Sequence, residues 1–115
     1  MPEKKDKDNE NNRKFLVKIH SAYREIVAVS DIGLLGKRFE QDEMQLEVNE
    51  HFYGGKDSKE MSEKQLLRTL ELAEENDACF NFVGKNSVTA AITAGLVDKN
   101  SVIKIQGIPH ALALS

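Results

Sequence analysis

The sequence predicts an α/β fold, with α+β left open: one small domain carrying an N-terminal β-hairpin and a C-terminal βαβ unit in a mixed sheet. Three observations predict it. Phe15, Val17 and Ile19 alternate with Leu16, Lys18 and His20 ahead of a second β-branched run at residues 26–29, the pattern of a hairpin. Residues 62–75 carry apolar side chains at helical spacing. Residues 78–105 read as strand, glycine turn, helix and strand, the order of a βαβ unit.

Taking the elements in order, the alternation in the first strand puts Lys18 and His20 together on the face opposite Phe15, Val17 and Ile19. Asp31 is placed to cap a short helix over residues 32–39, or a single irregular turn there, since Gly33 and Gly36 weaken the helix. Met44, Leu46 and Val48 alternate with polar residues, as in a half-buried strand. Phe52, Tyr53, Gly54 and Gly55 then predict a turn that displays two aromatic rings.

The clearest helix spans residues 62–75, where Ser62 and Gln65 have capping-box spacing and Leu66, Leu70 and Ala73 form the apolar stripe. Residues 78–83 follow as a buried strand. Val88, Ala91, Ile92 and Gly95 share one face of the next helix, which ends near Gly95. The chain from Gly84 to Ser101 is long enough for a crossover, so the strands around Phe80 and Ile103 are expected to lie parallel in one sheet, with Gly107, Ile108, Pro109 and His110 leaving it.

Length and composition bound the function classes. The chain has 115 residues, 40% of them hydrophobic and 30% charged, as in a soluble globular domain. Residues 1–13 balance four acids with four bases and contain no apolar side chain beyond Met1 and Pro2, so a disordered polar tail is expected, leaving 14–115 as the single domain. No apolar run is long enough to span a bilayer, and the opening residues lack a secretory pattern, so no membrane partner and a cytoplasmic location are expected. The single Cys79 lies in an apolar run and is expected to be a buried small hydrophobe.

The formal net charge of −3 is unevenly distributed. Residues 40–77 hold twelve acidic and four basic side chains, whereas residues 14–39 hold five basic against two acidic, and residues 78–115 three basic against one acidic. A polyanion would have to approach the two flanking segments, since the acidic middle repels it.

The candidate binding residues follow from these placements. Gly84, Lys85, Asn86 and Ser87 offer a loop, a cation and capping groups at a helix start, where backbone N–H groups receive an anion; the spacing matches neither a P-loop nor a dinucleotide fingerprint. His110 falls at the same end of the predicted sheet, where ligands of parallel sheets collect. Lys18, His20, Lys37 and Arg38 complete a polar, partly basic surface. His20, His51 and His110 lack the short pairings of a metal site, so no metal and no cofactor are expected.

Leu16-Val-Lys-Ile-His, Val27-Ala-Val-Ser-Asp, Leu34-Leu-Gly-Lys-Arg-Phe, Phe52-Tyr-Gly-Gly, Val83-Gly-Lys-Asn-Ser-Val and Gly107-Ile-Pro-His-Ala, in that order, resemble the archaeal domain-of-unknown-function family 424. The resemblance covers residues 15–111 and implies a small single-domain α/β protein; it implies no reaction, cofactor or partner. The residues themselves favour a noncatalytic binding module associated with RNA or a ribonucleoprotein, because no nucleophile and base are placed together by any motif. The alternative is a domain or enzyme that binds a small anionic ligand, a phosphate or carboxylate, through the Gly84 to Ser87 helix start and His110.

Overall fold

The computed structural model describes residues 14–114; the expected polar tail at 1–13 lies outside them. The chain is a mixed α/β domain in which strands dominate. β1 (Lys14–His20) and β2 (Ile26–Asp31) form the predicted hairpin, with Phe15 opposite Asp31 and His20 opposite Ile26. β3 (Arg38–Gln41) and β4 (Met44–Glu47) make a separate two-stranded sheet. The helix α1 (Glu50–Tyr53), the strand β5 (Lys59–Ser62), the helix α2 (Glu63–Glu75) and the strand β6 (Cys79–Val83) follow. The helix α3 (Lys85–Thr93), a single 3-10 turn (Lys99–Ser101), β7 (Ile103–Ile105) and β8 (Ile108–Leu114) complete the chain.

The main sheet has the order β5-β1-β2-β6-β8-β7. Its one parallel pair is β2 with β6, in which Ser30 stands opposite Val83. β7 shares the direction of β6, as expected of the ends of a βαβ unit, but β8 lies between them and is antiparallel to both. The reason is the tight turn at Gln106 and Gly107, both at positive φ, which folds the chain straight back as a two-residue hairpin. The segment around His110 therefore does not leave the sheet: it begins a seven-residue strand.

The sheet is covered on both faces, but unequally. Phe15, Val17, Val27, Val29, Phe80 and Phe82 point to one face and pack against Leu66, Leu70 and Ala73 of α2 and Val88, Ala90 and Ala91 of α3. The capping box of α2 is present, Ser62 Oγ accepting from Gln65 N and Gln65 Oε1 from Ser62 N. On the other face Ala28, Val83 and Ile105 are buried by Leu46, Val48 and Tyr53, contributed by β4, the residue after it and α1. That cover reaches only part of the sheet: further along the same face Leu112 is 64% exposed and Leu114 77% exposed.

Two local expectations are corrected. No helix forms over residues 32–39; the chain turns and enters β3 at Arg38. Residues 52 and 53 do not display their rings from a turn: Asn49 caps α1, its Oδ1 accepting from His51 N at 2.7 Å, and Tyr53 is buried. Cys79 is half-buried on the partly covered face. Among the described residues, no helix is long and apolar enough to cross a membrane.

Candidate functional site

The partly covered face holds a cleft of about 630 Å³ beside α1. Its position follows from how α1 is held. A four-residue helix leaves its last carbonyls without partners, and groups that donate hydrogen bonds stabilise that end. β1 supplies two such groups from one face: Lys18 Nζ donates to the carbonyl of His51 at 2.7 Å, and His20 Nε2 donates to that of Phe52 at 2.8 Å. The His20 ring also stacks on Phe52 at 4.8 Å between centroids, 19° from parallel. Lys18 and His20 thus act together on α1.

Beyond this anchor, all three histidines line the same cleft, together with Tyr53, Asn81 and Glu47. The Tyr53 hydroxyl donates to Asn81 Oδ1, and burial pushes the Tyr53 phenol well above its ordinary range. His110 alternates along β8 with Ala111, which belongs to the helix-side core, so its ring projects from the opposite, cleft side. His110 Nδ1 lies 2.9 Å from the carbonyl of Phe82. A carbonyl only accepts, so Nδ1 carries the hydrogen and Nε2 is the ring atom left facing the cleft. Among the described residues, no three histidine, cysteine or acidic side chains stand close enough together to hold a metal ion.

The helix start at Gly84 is built differently from the sequence expectation. Ser30 lies beside Val83 in the parallel pair, which brings the next residues, Asp31 and Gly84, side by side. Asp31 Oδ1 accepts from both the backbone N–H and the hydroxyl of Ser87 at 2.7 Å, and Oδ2 accepts from Asn86 N at 3.0 Å. The anion received by the first turn of α3 is therefore the carboxylate of the chain itself. Asp31 caps a helix, but one that begins more than fifty residues downstream rather than the next one. Lys85 opens α3 and does not line the cleft that His110 enters.

Lys37 precedes β3, Arg38 begins it, and neither lines the cleft. Arg38 is paired with Glu40 at 3.0 Å on an exposed surface. The basic surface suggested by the sequence is accordingly dispersed. What replaces it is a cleft whose polar residues include His51, Tyr53, Asn81 and Glu47; the sequence pointed to Tyr53 as part of an aromatic turn and to His51 as one of three histidines without metal-site spacing, but not to Asn81 or Glu47. One signal was available: Asn81 interrupts the otherwise apolar Cys79-Phe-Asn-Phe-Val83, and a polar amide on a buried strand needs a partner.

The fold and the cleft define a small mixed-sheet domain with two helices on one face and a histidine-lined cleft on the other. The chain belongs to the family described as protein of unknown function (DUF424), which matches residues 19–115. Its fold is similar to the crystal structure of an uncharacterized conserved protein from Methanopyrus kandleri, with a TM-score of 0.73 and 23% identity over 88% of this chain and 90% of the other. No curated protein matches the sequence.

Proposed function

We propose that this chain is a noncatalytic binding module for single-stranded RNA, with the cleft as the seat of an unpaired base. The observation that carries the reading is the convergence of His20, His51 and His110 with Phe52, Tyr53 and Asn81 on one open sheet face. Single-stranded RNA is recognised by flat rings that stack on bases and by polar side chains that meet base edges, often on exposed sheet surfaces. A shallow apolar groove of Ile26, Cys79, Leu112 and Leu114 adjoins the cleft and shares Phe52 and Asn81 with it, offering a floor for neighbouring bases.

Among the described residues, no serine hydroxyl stands beside a base in the cleft, which favours binding over catalysis. Ser30 Oγ donates to the Asp31 carbonyl and Ser87 Oγ to the Asp31 carboxylate, and neither serine lines the cleft. No lysine or arginine lines the cleft, so base contacts rather than phosphate contacts supply the affinity, and the salt dependence is that of roughly one or two phosphate contacts. The test is filter binding of purified protein to total RNA at low and moderate salt. Retention at low salt that weakens modestly with added salt supports the reading; no retention at low salt overturns it.

A further inference from the structure

We infer that the free half of strand β8 is an interaction edge for a second copy of this chain, two β8 strands pairing antiparallel to join the two six-stranded sheets into one. The inference is independent of the RNA reading and follows from which ladder positions of β8 the fold has used. β7 pairs only with residues 108–110 of β8, because the chain before it is wound into the 3-10 turn Lys99–Ser101 instead of a strand. The Gly84 amide donates to the Pro109 carbonyl at 2.9 Å, so Pro109 turns its carbonyl toward β6 and, by alternation along a strand, so do Ala111 and Ala113. The N–H and C=O groups of Leu112 and Leu114 point the other way, where no strand lies among the described residues.

What this edge lacks points to its occupant. Open edges are ordinarily guarded by charge, proline or shortness. β5 at the far edge carries Lys59 and Glu60, both exposed, and β7 is three residues long with Lys104 at its centre. Residues 108–114 carry no Asp, Glu, Lys or Arg, and the ring nitrogen of Pro109 faces β6, so neither device blocks the free half. Leu112 and Leu114 stand exposed beside it. The chain outside the described residues is a poor cover for them, since Ser115 is polar and residues 1–13 hold no apolar side chain beyond Met1 and Pro2. A two-fold axis sets each strand against its own copy, which repels charged strands and suits this neutral, apolar one. With the axis through Ala113, Leu112 of each copy lies opposite Leu114 of the other, the register that satisfies every free N–H and C=O group of both leucines. The axis is normal to the sheet, so the leucines of both copies meet on the cleft face, and the small Ala113 sits where opposed strands come closest. Each copy keeps its cleft open on that shared face, and the pairing stops at two copies because it consumes the edge that makes it.

The experiment is sedimentation velocity of the purified chain, without RNA, from about 1 μM to about 1 mM, for the unmodified protein, Leu112→Lys and Leu114→Lys. Hydrogen exchange at the Leu112 and Leu114 amides of the unmodified protein is followed at both ends of that range. Both leucines are exposed, so lysine fits the monomer at either position, and urea unfolding midpoints at the lowest concentration verify that the variants fold. The expected result is a dimer whose dissociation constant rises at least about tenfold in each variant, with the two amides exchanging about tenfold more slowly at the high concentration. Monomer throughout overturns the second copy as occupant and leaves the edge to a strand of another protein. A dimer undiminished in both folded variants, or one whose two amides exchange equally fast at both concentrations, places the contact elsewhere and overturns the inference as well.

Discussion

Asp31 and Ser87, from strand β2 and helix α3, are joined twice through a single carboxylate oxygen, which accepts from the Ser87 amide and from its hydroxyl at 2.7 Å each. Ser87 is fully buried, so its hydroxyl has no access to water as a substitute partner. Removing the carboxylate leaves a buried hydroxyl and two helix-terminal amides unpaired. Asp31→Ala is expected to lower stability by about 2–3 kcal/mol, read as the shift of the urea unfolding midpoint. Ser87→Ala, which leaves the carboxylate its two backbone donors, is expected to cost only about 1 kcal/mol. A smaller effect for Asp31→Ala than for Ser87→Ala contradicts the capping role.

Gly84 is the residue that lets Asp31 come so close. A methyl group there would lie 2.3 Å from the Asp31 carboxyl carbon, and its φ of +108° is a conformation that side-chain-bearing residues rarely adopt. Gly84→Ala is expected to destabilise by about 2–3 kcal/mol in the same unfolding assay. Part of that cost is steric and disappears once the carboxylate is gone, so the effect of Gly84→Ala is expected to shrink in an Asp31→Ala background. Strict additivity of the two substitutions counts against the close approach.

Tyr53 makes the stability of the fold alkali-sensitive. Burial favours the neutral phenol, so its folded pKa lies above its unfolded one. Below about pH 10 the phenol is neutral in both states and its contribution is complete. As the pH rises above that point the unfolded chain ionises first, and stability falls. Tyr53→Phe is expected to lose about 1 kcal/mol near neutral pH, through the missing hydrogen bond to Asn81, yet to decline less steeply above about pH 10. Unfolding midpoints at neutral and alkaline pH measure both effects, and parallel declines in the two proteins exclude the assignment.

His20 is expected to govern α1. Its ring supplies both a hydrogen bond to the Phe52 carbonyl and a stacked contact with the Phe52 ring. His20→Ala should cost about 1–2 kcal/mol and raise hydrogen exchange in residues 50–53 selectively. Exchange that rises equally throughout the sheet would mean that His20 supports the fold as a whole rather than this helix.

The features legible in the sequence are those whose parts lie within a turn or two of one another. Ser62 and Gln65 are three residues apart, and both hydrogen bonds of their capping box form as the spacing predicts. The alternation of β1 assigned Phe15 and Val17 to one face and Lys18 and His20 to the other, because a strand has only two faces. These local rules also suffice for the fold class, since hydrophobic periodicity depends on neighbours in sequence.

The site was decided by contacts between distant segments. Asp31 carries the capping chemistry expected of it, but the helix it caps is chosen by the parallel pairing of β2 with β6, across more than fifty residues. The three histidines have no motif spacing, and they meet only because β1, α1 and β8 are laid against the same face of one sheet. Whether His110 points into a cleft or leaves the sheet depended on the turn at Gln106 and Gly107 and on strand register, where a shift of one residue would send its ring to the helix side. Residue type and local spacing determined what each segment could become; pairing between segments far apart in the chain determined which of their polar atoms were consumed by the fold and which face the cleft.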